Sequence, residues 1–213
     1  IIKRYQIASI RATGFSPWET MHVFSATLIA GSQNKIIKSY FYNGKVPVWS
    51  MNEILEPCFN IPISIMIKDI ASKINQAAFH LQSSDQKVKT LTADINTKIA
   101  ANDFTDFWKV LELGYTNNPA AVEPLKRYAR MGDEFFKSCA ISSIGTLGAT
   151  QEVAFLKKCY ADAAASFNDR YLAVKALGDL ATPEALKTIE TIKRDPLYER
   201  EGGLRYAVDL YLQ

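Results

Sequence analysis

Residues 140–148 read AISSIGTLG, residues 173–181 read AVKALGDLA, and residues 207–212 read AVDLYL. The alanines that open these segments are 33 and then 34 positions apart. A motif that returns with this period is typical of stacked helical hairpins, in which each unit covers the apolar face of its neighbour. The second half of the chain is therefore predicted to be an array of helical repeats.

Proline and capping residues mark where the helices of this array begin. Asn118-Pro119, Thr182-Pro183 and Asp195-Pro196 each place a capping side chain before a proline at the first helical position. Ser84 has the same capping role for an earlier helix, which bridges the two parts of the chain. The pattern predicts further helices over residues 103–113, 119–130, 134–147, 151–161, 168–180, 183–194 and 196–212.

The N-terminal part has the pattern of strands. Residues 2–13, 20–30 and 35–42 are rich in β-branched and aromatic residues, and turn residues separate them. Asn43-Gly44 is expected to close the third strand. The simplest arrangement is a three-stranded antiparallel meander, and the third strand has no cleanly polar face, so it is expected to be covered on both sides.

A long amphipathic helix is predicted after the strands. Ser50 to Glu53 has the form of a capping box, and a second helix begins near Pro62. Apolar residues then recur at spacings of three and four and predict one buried stripe that lies across the sheet: Ile63, Ile67, Ile70, Ile74, Ala77, Ala78 and Leu81. An alternative is a C2-like β-sandwich, in which residues 63–69 would form a strand.

Two resemblances give these patterns a family context. The motif Ala-Val-x-Ala-Leu-Gly-x-Leu at residues 173–180, followed by Thr-Pro-Glu-Ala-Leu, resembles HEAT-like repeats of the short bacterial type. This resemblance implies a right-handed solenoid whose second helices line a concave binding surface. The Tyr-rich strand, the Asn-Gly turn, the Trp and the long helix within residues 1–82 resemble the α+β domain of small bacterial envelope lipoproteins. That resemblance implies a periplasmic or outer-membrane location.

The predicted fold class is α+β, an N-terminal antiparallel meander with an amphipathic helix, followed by an all-α HEAT-like solenoid. The expected units are a small α+β domain over residues 1–82, a connecting helix over 83–102 and the repeats over 103–213. With 213 residues, of which 48% are hydrophobic, the chain can bury one large core or two small ones, and we expect two. Because it begins at Ile1, we expect an upstream segment that could carry a lipid anchor.

Cations recur at equivalent places on the predicted second helices. In each repeat a leucine expected to be buried is followed by a lysine, at Lys126, Lys157 and Lys187. With their basic neighbours they form a candidate protein-binding ridge: Lys126, Arg127, Arg130, Lys157, Lys158, Lys187, Lys193 and Arg194. The alternative is an ordinary solvated face, since nearby glutamates dilute the charge. The net charge of +3 is too small to imply nucleic acid, so an acidic protein surface is the expected partner.

Catalytic, cofactor-binding and metal-binding residues are not predicted. His22 and His80 lack the neighbours of a zinc or general-base motif, and both are expected to be partly buried structural residues. The three cysteines, Cys58, Cys139 and Cys159, form no CxxC pair and are expected to be buried free thiols. Cys139 and Cys159 fall on the two helices of one hairpin, so they could approach each other.

Three classes of function follow. The leading expectation is a non-enzymatic scaffold, a structural subunit of a bacterial envelope assembly of the secretion or motor type. The second is a HEAT-like enzyme of the bilin-lyase or DNA-glycosylase kind, on fold analogy alone. The third is a C2-like peripheral membrane module, against which the lack of an aspartate-rich calcium loop counts.

Overall fold

The N-terminal part of the computed structural model is a three-stranded antiparallel sheet. Its strands are β1 (Ile2–Ile10), β2 (Trp18–Ala30) and β3 (Gln33–Lys45), with β2 in the centre. The predicted meander is therefore confirmed, but Asn43 pairs with Thr20 inside the ladder rather than closing the strand. The structure describes residues 1–11, 13, 16, 18–30, 33–45, 55–131 and 133–213.

Two long helices follow the sheet. A π-helical turn (Glu56–Asn60) leads into α1 (Ile61–Phe79), and α2 (Asp85–Ala100) comes next. Ser84 caps α2 as predicted, since its hydroxyl accepts a hydrogen bond from the Lys87 N–H at 3.3 Å. Residues 63–69 are helical, so the C2-like sandwich is wrong. The capping box predicted at residues 50–53 lies outside the described residues.

The buried face of α1 differs from the predicted one. Pro62, Ile65, Met66, Asp69, Ser72 and Lys73 face the protein interior. The predicted apolar stripe is half-buried or exposed, and Ile67 is 60% exposed. The prediction assumed that the more apolar side of a helix turns inward. In α1 the inner side instead carries charged residues that find partners on neighbouring elements.

Eight further helices complete the described part of the chain, and their starts agree with most of the predicted ones. They are α3 (Trp108–Gly114), α4 (Val122–Tyr128), α5 (Glu134–Thr146), α6 (Val153–Ala161), α7 (Phe167–Leu180), α8 (Pro183–Ile192), α9 (Pro196–Arg200) and α10 (Gly202–Leu212). The predicted caps Asn118, Thr182 and Asp195 each accept a backbone hydrogen bond. The last predicted helix is broken at Glu201, whose backbone is extended.

Glycines allow the first helices of successive hairpins to approach closely. A Cβ on Gly114 would lie 2.7 Å from the Ser143 side chain, and one on Gly145 would lie 2.3 Å from the Ala176 backbone. A Cβ on Gly178 would lie 2.1 Å from the Tyr211 ring. The helices α3, α5, α7 and α10 are thereby stacked in order. This regular contact explains why a glycine returns in the repeated motif.

The sheet and the helices share one hydrophobic core among the described residues. Met21, Val23 and Tyr40 of the sheet belong to the same buried cluster as Leu177 of α7. The Tyr40 hydroxyl also donates a hydrogen bond to the Gly203 carbonyl oxygen at 2.9 Å. The expectation of two separate cores is wrong, because one face of the sheet packs directly on α7 and α10. The expected domain boundaries stay a prediction, and no described helix is both long and apolar enough to cross a membrane.

Candidate functional site

Four buried charges from two helices form a closed network at the centre of the molecule. Asp69 lies 2.7 Å from Lys73, one turn along α1, and 3.3 Å from Lys175 of α7. Asp179 of α7 lies 2.7 Å from each of the same two lysines. Each lysine therefore contacts both aspartates. Two positive and two negative charges balance, which is the condition under which buried ions are tolerated.

Neutral side chains from three other elements complete the hydrogen bonds of this network. The hydroxyls of Ser39 in β3 and Thr146 in α5 each donate to Asp69 at 2.7 Å. The Tyr211 hydroxyl of α10 donates to Asp179 at 2.6 Å. The network thus joins the sheet to α1 and to the stacked helices, and it fixes their relative positions.

The network holds its groups in their charged forms. Burial acts to raise the pKa of Asp69, but the charges of Lys175 and Lys73 outweigh it and hold that pKa well below its usual range. Burial acts to lower the pKa of Lys175, and the nearby Asp179 and Asp69 raise it above the ordinary value. Both residues therefore stay ionised at neutral pH.

A cleft of about 600 Å³ opens beside this network, and we call it the central cleft. One wall is the start of β3 with the end of α1, and the other is formed by the C-terminal ends of α5 and α7 with parts of α8 and α10. The residues that line it are Lys35, Ile36, Ile37, Lys38, Lys73, Gln76, Ala77, His80, Gly145, Thr146, Gly148, Gly178, Asp179, Ala181, Leu186 and Tyr211.

Lys38 differs from the other lysines near the cleft. Its ammonium nitrogen donates to the Tyr211 carbonyl oxygen at 3.3 Å and lies 5.9 Å from the centre of the Tyr211 ring. Within the described ranges, no carboxylate lies within ion-pairing distance of it. Burial lowers the pKa of Lys38 because no negative charge compensates the loss of water. It is a half-buried amine available to a ligand.

The predicted basic ridge is only partly assembled. Lys126, Arg130 and Lys158 line one shallow groove, with Phe155 between them, and the Arg130 guanidinium lies 5.2 Å from the centre of that ring. Lys126, however, is paired with Glu123 at 2.9 Å and with Glu152 at 3.2 Å. Its charge is therefore already compensated.

The remaining ridge residues are spread over other surfaces. Lys157 and Lys187 line a second groove beside Glu184, whose carboxylate lies 4.0 Å from Lys157. Arg127, Lys193 and Arg194 are exposed and line neither groove. The ridge as a protein-binding surface stays a prediction.

The histidines and cysteines have the following surroundings. His22 is fully buried and contacts Phe59 edge to face, with ring centroids 6.2 Å apart. His80 ends α1 in a left-handed conformation and is exposed, so its expected partial burial is wrong.

Cys139 is half-buried, Cys159 is buried, and both are free thiols as expected. Burial raises the pKa of Cys139 to about 12 and that of Cys159 to about 11. Cys58 lies where the structure describes no side chain.

Sequence reasoning missed the charges of the central network, although a signal was present. Lys175 interrupts an apolar repeat motif, and Ser142 holds the equivalent position 33 residues earlier. Asp179 replaces the equivalent Thr146 in the same way. Charges at positions that are neutral in the copy at residues 140–148 indicate that these side chains have partners in the fold. The partner of Lys175 is Asp69, which lies more than 100 residues earlier in the sequence. The motif alone therefore could not identify it.

Part of the chain is similar to a solved structure. No family model matches the chain, and no curated protein matches it. The structure of human deoxyhypusine hydroxylase in complex with glycerol is similar at 19% sequence identity and a TM-score of 0.46. The similarity covers 62% of this chain and 46% of the hydroxylase chain, so the chain corresponds to less than half of that protein.

This comparison corrects the expected function class. The similar structure is that of an enzyme, which runs against the expectation of a non-enzymatic scaffold. The scaffold expectation is withdrawn. At this level of similarity, no residue role, substrate or metal is transferred from the hydroxylase.

Proposed function

We propose that this protein binds a small organic anion in the central cleft. The observation that carries the proposal is Lys38, a half-buried amine that lines the cleft and has no carboxylate partner among the described residues. A half-buried cation without a counter-ion loses part of its hydration, and an anionic ligand would offset that cost. Lys73 and Lys175 are already neutralised by the two aspartates, so they hold the cleft in shape rather than bind the ligand.

The charge of the described lining favours an anion. Three lysines and one aspartate line the cleft, a formal excess of two positive charges. The helices α1, α5 and α7 end there, and each C-terminus carries a partial negative charge of about 0.5. These partial charges sum to less than the lysine excess. Backbone caps also satisfy some of the terminal carbonyls, such as that of Leu177, which accepts from the Ala181 N–H.

The apolar part of the lining sets the kind of anion. Ile36, Ile37, Ala77 and Leu186 contribute hydrocarbon surface to the cleft, together with the ring of Tyr211. The volume of about 600 Å³ lies in the range usual for small-molecule sites. A metabolite with a carboxylate or phosphate at one end and a short apolar body fits this combination better than an inorganic ion does.

A thermal-shift screen against small carboxylates and phosphates tests the proposal. We expect at least one organic anion to raise the melting temperature of the protein and the same compound to bind Lys38→Met at least about tenfold more weakly. The matched control is Lys89→Met, which removes an exposed lysine of α2 and should bind like the wild type. Equal affinity of all three proteins would exclude Lys38 as the anion-binding group.

A catalytic use of the same cleft is the second candidate, and the lowered pKa of Lys38 favours it. An amine that loses its proton more easily can attack a carbonyl carbon and form an imine with release of water. This gives the enzyme alternative a concrete form without selecting a bilin or a nucleic acid as substrate. Borohydride trapping with 2-oxo acids should add mass at Lys38, and labelling spread equally over exposed lysines would contradict it.

We also propose that the helical part is a HEAT-like solenoid. The support is the repeated close contact of Gly145 with Ala176 and of Gly178 with Tyr211, one repeat apart. The envelope location and an acidic protein partner on the ridge stay predictions. Fractionation of cells that express the whole protein would test the location, with recovery in the cytosol as the contrary result.

A further inference from the structure

The outer face of α1 carries a line of small and apolar residues that the described part of the protein leaves exposed or half-buried. At 3.6 residues per turn, Ser64, Ile67, Ala71, Ile74 and Ala78 fall on the side opposite the buried Asp69 face. Ser64, Ile67 and Ala71 are exposed, with Ile67 at 60%, and Ile74 and Ala78 are half-buried. We call this set the outer seam.

The spacing of the outer seam is that of a helix that packs against another helix. Its members are three and four residues apart in strict alternation, which is the heptad spacing of paired helices. The large members, Ile67 and Ile74, alternate with the small ones, Ala71 and Ala78. A helix of this kind packs best against a partner helix that places a small residue opposite each of its large residues and a large residue opposite each of its small ones.

An antiparallel copy of the same helix presents its residues in this order. We propose that the outer seam pairs with the outer seam of a second copy of this chain about a two-fold axis located between positions 71 and 74. Ile67 then packs against Ala78 of the second copy, and Ala71 packs against Ile74. Each isoleucine enters a space that an alanine leaves, and the self-complementary pattern is what identifies a second copy as the occupant.

Charge does not oppose this pairing. Lys68 is the exposed charged residue beside the seam, and the same two-fold axis brings it next to Asn75 of the second copy, which is uncharged. A parallel pairing is less favourable, because it would set isoleucine against isoleucine and alanine against alanine and leave gaps between them. The four layers span about 17 Å of helix, so the interface is small and the dimer should be weak and dependent on concentration.

Sedimentation velocity over a range of protein concentrations tests the dimer. The wild type should shift from monomer to dimer as concentration rises, and Ile67→Glu should weaken association at least about tenfold. Ile29→Glu is the matched control, since Ile29 is similarly exposed, at 56%, but belongs to β2 rather than α1. A wild type that stays monomeric, an Ile67→Glu variant that still dimerises, or equal loss in both variants would each overturn the proposal.

Disulfide cross-linking tests the orientation. Ala71→Cys and Ile74→Cys chains are oxidised separately and as a mixture, with wild-type chain as the reference for the natural cysteines. The antiparallel seam predicts that mixed cross-linked dimers form in excess of either homodimer. Homodimers in excess would indicate parallel pairing, and cross-linking no greater than in the wild type would show that the seam is not the interface.

Discussion

Lys175 shows most clearly how single residues shape this molecule. It is 3% exposed and sits among alanines, valine and leucines in a repeat motif that otherwise builds the core. Its side chain reaches Asp69 and Asp179, so one residue joins two distant parts of the chain. Buried ion pairs contribute little net stability when intact, but breaking one leaves a buried charge without a partner.

Lys175→Met should therefore lower the free energy of unfolding by about 3–5 kcal/mol. The variant keeps most of the side-chain volume, so the loss reports the excess negative charge left between Asp69, Asp179 and Lys73 rather than a cavity. Lys98→Met is the matched control, because the Lys98–Asp103 pair is substantially exposed and screened by water, so its loss should change the unfolding free energy far less. Urea denaturation measures both, and equal effects would contradict the structural role given to the network.

The lowered pKa of Asp69 predicts how the stability of the protein depends on pH. Its pKa in the folded protein lies below its ordinary value, so its contribution is present above that value and is lost as pH falls through the folded pKa. The unfolding free energy of the wild type should fall below about pH 4. Asp69→Asn should flatten this fall.

Added salt distinguishes the contribution of Asp69 to the pH dependence of stability from the contributions of exposed groups. About 1 M salt screens surface pairs but has little effect on buried ones. The acid-dependent difference between wild type and Asp69→Asn should therefore survive in high salt. Its disappearance on addition of salt would place the responsible charges at the surface instead.

Local sequence patterns predicted most of the helices and strands. They did not predict which face of α1 is buried or where distant elements contact each other. Capping residues and prolines predicted the helix starts, since those signals act over a few residues. The inward face of α1 was predicted wrongly, because Asp69 and Lys73 are stabilised by partners that are distant in sequence. The cleft was missed for the same reason, as it forms where β3 meets three helix ends.

Gly178 links the repeat motif to helix packing. A Cβ at this position would lie 2.1 Å from the Tyr211 ring, closer than any real contact. Gly178→Ala gains about 1 kcal/mol of helix propensity, yet the clash should cost more, so the net effect is destabilisation by about 1–3 kcal/mol.

Gly202→Ala is the control for Gly178→Ala. Its Cβ would meet the flexible end of the Ile10 side chain at 2.8 Å, and that side chain can move. Thermal denaturation should therefore show a clear loss for Gly178→Ala and little change for Gly202→Ala. A Gly178→Ala variant as stable as the wild type would contradict the close packing of α7 on α10.

At the scale of the whole molecule, the sheet and the stacked helices act as one unit. They share a core, and the buried network joins β3 and α1 to α5, α7 and α10. The central cleft lies along this junction, so any shift between the sheet and the helices would change its shape. The sequence suggested a binding surface on the second helices, whereas the structure also offers a cleft at the junction.

A crystal structure of the protein with the organic anion that most raises its melting temperature tests the central claim most directly. We predict that the anion lies in the central cleft with an oxygen at hydrogen-bond distance, about 3 Å, from the Lys38 ammonium nitrogen. Its apolar part should contact Ile36 and Leu186. An anion bound elsewhere, with the cleft empty, would contradict the proposed function.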